Sequence, residues 1–131
     1  MTNILLVMYR QFLAETLESS LRSKPGFKIY KEYDYQNAAL AAKHFKPNIA
    51  VVEVPESHAR QIQDYLIICK AIQKIAPECK LLLVYPENSP ESKRHAIEAS
   101  QEGIISDFLF YDTSLDYFIT KLEALSSRNG R

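Results

Sequence analysis

Glu53 closes the apolar run Ile49-Ala50-Val51-Val52, and a carboxylate in that setting does chemistry only in company. Acid–base work needs a second group to orient it, and a divalent cation needs several hard oxygen donors. The next residues, Val54 and Pro55, supply neither. His44, His58 and His95 stand in different segments without the partners of a metal set, which makes them surface histidines. Cys69 falls on an apolar stripe and reads as a small buried hydrophobe, while Cys79 precedes a strand and reads as inert. With three glycines in the whole chain a phosphate-cradling loop is hard to build, and no GxGxxG, P-loop or GxSxG pattern occurs. Lys93-Arg94-His95 is a local basic spot of the kind that ordinarily faces water.

Composition narrows the classes further. At 131 residues the chain is one domain, and 47% hydrophobic content supports a core without a metal or disulfide staple. Sixteen basic residues against sixteen acidic ones leave no net charge, which argues against bulk attraction to nucleic acid or an anionic membrane. The apolar runs are strand-sized and no basic segment precedes the first one, so neither a membrane span nor a targeting segment is read. A cytoplasmic chain with two free thiols is expected.

Short apolar runs alternate with helix-period stretches throughout. Strands are expected at Ile4–Met8, Phe27–Tyr33, Ile49–Val54, Lys80–Tyr85 and Ile104–Phe110. Between them, Phe12, Leu13, Leu17 and Leu21 recur at helical spacing before Lys24-Pro25-Gly26 ends the helix. Asp34 is placed to cap a helix through Ala38, Ala39, Ala42 and Phe45 that Pro47 closes. Apolar residues at 62, 65, 66, 69 and 72 make a helical stripe within a third helix from about Ala59 to Ile75. Ser89-Pro90 starts a fourth helix that runs to Gly103, and Thr113 with Asp116 forms a capping box for a fifth, whose core face is Leu115, Phe118, Ile119, Leu122 and Leu125. Residues 1–126 make up the domain, and 127–131 a polar tail or the start of a linker.

Strict alternation of strand and helix implies an α/β fold with one doubly wound, five-stranded parallel sheet in the flavodoxin-like order 2-1-3-4-5. Ligands of such sheets bind beyond the carboxyl ends of the strands. That rule singles out Met8-Tyr9-Arg10, Glu53-Val54-Pro55, Tyr85-Pro86-Glu87 and Tyr111-Asp112.

Four segments in this order carry a resemblance: Ile4-Leu5-Leu6-Val7, Lys46-Pro47-Asn48-Ile49-Ala50-Val51-Val52-Glu53, Ala76-Pro77-Glu78-Cys79-Lys80-Leu81-Leu82-Leu83-Val84 and Gly103-Ile104-Ile105-Ser106-Asp107-Phe108-Leu109. To about Ser126 the chain resembles the CheY-like receiver domain of bacterial two-component response regulators. Receivers phosphorylate an aspartate after the third strand, hold Mg²⁺ with an acidic pair after the first, and use a Thr or Ser after the fourth and a Lys after the fifth. The resemblance places the acidic pair on Met8 and Tyr9, the phosphoacceptor on Glu53, the Thr/Ser position on Tyr85 and the Lys position on Tyr111. None of the five matches, so the metal and the charge neutralisation of phosphoryl transfer are both missing. The expectation is a pseudo-receiver: no catalytic residue, no metal and no cofactor.

Tyr9, Tyr85 and Tyr111 are expected to converge on the vacated pocket with Met8 and Pro86, either as a partner surface or as simple filling. Glu53 is read either as a permanent mimic of a phosphorylated residue or as a strand-end carboxylate reaching for water or a backbone N–H. On the second reading, Glu53→Gln should leave stability nearly unchanged. Pro55 and the longer segment to Pro77 depart from the family pattern, through an extended third helix or a rebuilt loop Glu56-Ser57-His58. Phe108 occupies the position of the switch aromatic of receivers.

The resemblance implies signal transduction by protein–protein contact, through a partner or self-association as a dimer on the face of the fourth helix, fifth strand and fifth helix. No membrane or direct nucleic-acid contact is expected. The alternatives are a response regulator still phosphorylated in a phosphorelay, regulating transcription through an output domain or partner, and a small flavodoxin-like enzyme.

Overall fold

A computed structural model describes residues 1–86 and 90–128, excluding the side chains at 59, 60 and 128. Its elements alternate without exception: β1 (Thr2–Val7), α1 (Gln11–Arg22), β2 (Phe27–Glu32), α2 (Ala38–Phe45), β3 (Ile49–Glu53), α3 (Ile62–Ile75), β4 (Lys80–Tyr85), α4 (Pro90–Gln101), β5 (Asp107–Phe110) and α5 (Leu115–Arg128). The strands form one parallel sheet in the order β2-β1-β3-β4-β5. The expected α/β architecture and strand order are therefore found.

The pleat divides the core in two. Leu5, Val7, Ala50, Val52, Leu81 and Leu83 point to one side of the sheet, where α2, α3 and α4 cover them. Ile4, Leu6, Ile49, Val51, Leu82 and Val84 point to the other, beneath α1 and α5. The helices supply the matching stripes, with Ile62, Tyr65, Leu66, Cys69 and Ile72 of α3 all buried. Leu17 and Leu21 of α1 and Phe118, Leu122 and Leu125 of α5 are buried on the second side. Each such aliphatic or aromatic side chain contributes about 1.5–3 kcal/mol through removal from water.

Several local expectations shift. Asp34 does cap, accepting the Gln36 N–H at 3.0 Å, but it caps a 3₁₀ turn, Tyr35–Asn37, that leads into α2. The third helix begins at Ile62, because the preceding 3₁₀ segment Glu56–Gln61 is broken by the non-helical backbone of His58. α3 itself therefore starts three residues later than the expected Ala59, after a 3₁₀ segment. β5 begins only at Asp107, since Gly103 (φ 81°) ends α4 and residues 104–106 form the connection. The α5 cap is Ser114, not Thr113: its Oγ accepts the Tyr117 N–H at 3.2 Å. α5 runs through Arg128, and Ser126 hydrogen-bonds Thr2 at 2.7 Å, so the helix outlasts the expected domain limit at 126. Ser89, the expected cap of α4, and Glu87 lie outside the described residues, as do 129–131.

Candidate functional site

Strand parity decides which side chains meet at the carboxyl edge of the sheet. Met8 continues the alternation of Ile4 and Leu6, and Glu53 that of Ile49 and Val51, so both belong to the side covered by α1 and α5. Tyr85 continues Leu81 and Leu83 and turns to the opposite side. Three strand ends that are neighbours along the rim thus send their side chains to two different faces.

Glu53 is fully buried, and it is charged in a place where burial of a lone carboxylate costs several kcal/mol. Three donors meet it. Oε1 accepts the backbone N–H of Tyr9 at 2.8 Å and of Arg10 at 3.0 Å, and Oε2 accepts Nε–H of Arg10 in a close ion pair. The two backbone donors stand just ahead of α1, where helical N–H groups lack intrahelical partners and the helix dipole favours negative charge. α1 has no side-chain cap of its own at Arg10, so Glu53 does that work from across the sheet.

Arg10 is itself held on two further sides. Its Nη2 donates to the Tyr111 carbonyl oxygen at 3.1 Å, and its guanidinium carbon lies 3.6 Å from the centre of the Tyr111 ring. The planar fork suits this combination of carboxylate, carbonyl and ring face. With 30% of its side chain exposed, Arg10 forms the lid of the crevice and Glu53 its floor. Burial pushes the Tyr111 phenol upward, an effect that the Arg10 charge partly offsets. Tyr35, from the 3₁₀ turn ahead of α2, donates its hydroxyl to the Glu53 backbone carbonyl, and burial raises that phenol well above the usual tyrosine range.

The aromatic half of the rim lies beside this pair. Tyr85 is fully buried and packs against Phe108 and Phe110, with ring centres 5.9 and 5.6 Å apart. Phe108, at the switch-aromatic position, is half-buried against Tyr85, which occupies the interior next to it.

The expected convergence of tyrosines does not occur. Met8 is buried in the α1–α5 core, Tyr9 is 63% exposed, and Tyr85 lies on the opposite side of the sheet, buried like Pro86. Of the expected set, only Tyr111 and Glu53 share the crevice, joined by Arg10. Glu53 also does not stand alone, because Arg10 neutralises it. Of the two residues that complete the site, Arg10 falls in a segment the strand-end rule singles out but receives no role from the sequence, and Tyr35 is not singled out at all. The signal for Arg10 was present: an arginine directly after β1, across from a strand-end carboxylate that needs a counter-charge.

The chemistry follows from these contacts. A divalent cation prefers several hard oxygen ligands. Here Met8 is turned away, Tyr9 faces solvent, and the Glu53 carboxylate is matched by a guanidinium, so these described residues do not fit Mg²⁺. Among the described residues no group of three His, Cys, Asp or Glu could hold a metal ion. For Glu53 to attack a phosphoryl group, it must first leave Arg10 and two backbone donors, each charge-assisted bond being worth about 1.5–3 kcal/mol. Elsewhere, His58 Nδ1 meets the Tyr65 hydroxyl at 2.6 Å and His95 Nδ1 meets Gln63 at 2.9 Å. Cys69 and Cys79 are both buried and free, and burial pushes each thiol up to about 12, which makes them poor nucleophiles.

This sheet order with its five helices is the fold of the response-regulator receiver domains. A two-component response regulator from Clostridium difficile superimposes with a TM-score of 0.78 at 20% identity, over 100% of both chains. A response regulator from Thermotoga maritima gives 0.77 at 15% identity, over 96% of this chain and 98% of that one. A response regulator from Burkholderia pseudomallei, with a phosphorylated aspartic acid, calcium ion and citrate, gives 0.69 at 15% identity, over 100% of this chain and 76% of that one. At the level of sequence, no family model and no curated protein matches the chain.

Proposed function

We propose that this chain is a two-component-type signalling module, a pseudo-receiver that works by protein contact without Mg²⁺-dependent phosphorylation. The observation that carries this reading is the enclosed Arg10–Glu53 pair. The guanidinium provides the counter-charge that a bound cation otherwise would. A receiver fold with its rim held in this way keeps the surfaces of a signalling domain, while the carboxylate at the acceptor position is engaged by Arg10 and two backbone N–H groups.

The face of α4, β5 and α5 is the proposed contact surface for a partner or a second copy. β5 is the edge strand, Ile97 and Tyr117 are exposed beside it, and Lys121 bonds Asp107 at 2.8 Å across it. A cytoplasmic, non-enzymatic role without direct nucleic-acid contact belongs to the same proposal. It draws on the zero net charge and on the rim chemistry. No helix among the described residues is long and apolar enough to cross a membrane.

The test is incubation with acetyl phosphate, and separately with beryllofluoride, each with Mg²⁺. Intact mass and amide chemical shifts are expected to stay as they were. A Mg²⁺-dependent phosphoryl adduct, or shifts spreading from Glu53 to Phe108, overturns the reading in favour of a phosphorylated regulator.

A further inference from the structure

α3 carries a second stripe that the core does not use. Ile67, Ala71 and Ile75 recur every four residues on its outer side, with Ile67 61% and Ile75 44% exposed. Three such positions form a ridge about 12 Å long at 1.5 Å per residue. Ile75 lines a cleft of about 420 Å³ together with Lys43 and Lys46 from the end of α2 and Glu78 from the loop before β4. Lys74 precedes Ile75 on the exposed side of α3. None of Lys43, Lys46 and Lys74 makes an ion pair among the described residues. With Lys70, exposed on the same helix and also without an ion pair among the described residues, four lysines stand against Asp64 and Glu78 beside the apolar ridge, a local positive excess in a chain with no net charge.

We infer that the α2–α3 face is a docking surface for an acidic amphipathic helix of a protein partner. An apolar ridge at helical spacing suits the groove of a second helix, and the flanking lysines call for carboxylates on its two edges. A membrane is the poorer match. Lipid-binding clusters ordinarily number about four to eight basic residues without acidic ones among them, whereas Asp64 and Glu78 stand beside these lysines. The inference is independent of whether Glu53 is phosphorylated, and it concerns a different face from α4–β5–α5.

The test uses the whole chain, ¹⁵N-labelled, titrated with a synthetic amphipathic helical peptide that has leucines on one side and glutamates along both edges. Shift changes are expected at Lys43, Lys46, Ile67, Ala71 and Ile75. The double variant Lys43→Glu/Lys74→Glu, both substitutions at exposed positions, should weaken binding at least about tenfold. Ile67→Ser should weaken it with the charges intact. Equal affinity for the same peptide with lysines in place of glutamates overturns the inference. So do shifts confined to Ile97 and Tyr117, preferential binding to phosphatidylserine vesicles, or concentration-dependent shifts on α3 without peptide, which identify a second copy as the occupant.

Discussion

At the carboxyl edge of the sheet, the β1–β3 half encloses a charged pair and the β4–β5 half encloses aromatic rings. In the first, Glu53 keeps a carboxylate at the strand end and Arg10 folds over it, so the site remains polar and tightly bonded. In the second, Tyr85 abandons the crevice for the core and packs with Phe108 and Phe110. The two halves satisfy their strand ends by different physics. One satisfies its charge internally, which leaves nothing for a cation to neutralise. The other buries ring surface at its strand end. The same rim is thus satisfied by an internal ion pair at one end and by packed rings at the other.

The comparison can be broken most forcefully on the aromatic side. Tyr85→Ala leaves a cavity among Leu83, Phe108 and Phe110, and is expected to cost about 3–5 kcal/mol in urea unfolding. A loss under 1 kcal/mol means that the ring is not packed as described. On the charged side, Arg10→Ala leaves Glu53 buried with only its two backbone donors. The expected loss is about 3 kcal/mol, at the low end for a broken buried pair because Arg10 is partly exposed. Arg10→Lys should recover less than half of it, since an ammonium cannot serve carboxylate, carbonyl and ring together.

Glu53→Gln tests the pair from its floor. It was expected from sequence to be nearly neutral, but with Arg10 in place it should cost about 2 kcal/mol, because a charge-assisted contact becomes one with an amide. A neutral result in chemical denaturation would show that the pair contributes nothing. The smallest effect falls where the two halves touch. Tyr111→Leu removes the ring under Arg10 but keeps the backbone carbonyl, and should lower stability by about 1 kcal/mol. A double-mutant cycle with Arg10→Ala should give a coupling of similar size; zero coupling separates ring from guanidinium.

Much of this was legible in the order of the residues. The unbroken run Ile4-Leu5-Leu6-Val7 announces a strand covered on both sides, and the stripe at 62, 65, 66, 69 and 72 is the buried face of α3 residue for residue. Gly103 ends α4 in the left-handed conformation that its position calls for. The site was legible only in part. Glu53 could be placed at a strand end, but not its partner, because Arg10 lies 43 positions away in sequence. Local signals also erred by a residue where two caps compete, as at Thr113 and Ser114.

What sequence alone determined is the alternation of elements and hence the wound parallel sheet, since hydrophobic period and chain breakers act within a few residues of one another. The fate of the rim was settled by packing in three dimensions. The pleat carries Met8 and Tyr85 to opposite faces, and parallel pairing of β1 with β3 brings Tyr9 and Arg10 against Glu53. A buried charge takes its meaning from whatever surrounds it in space, and that is set by packing between distant segments.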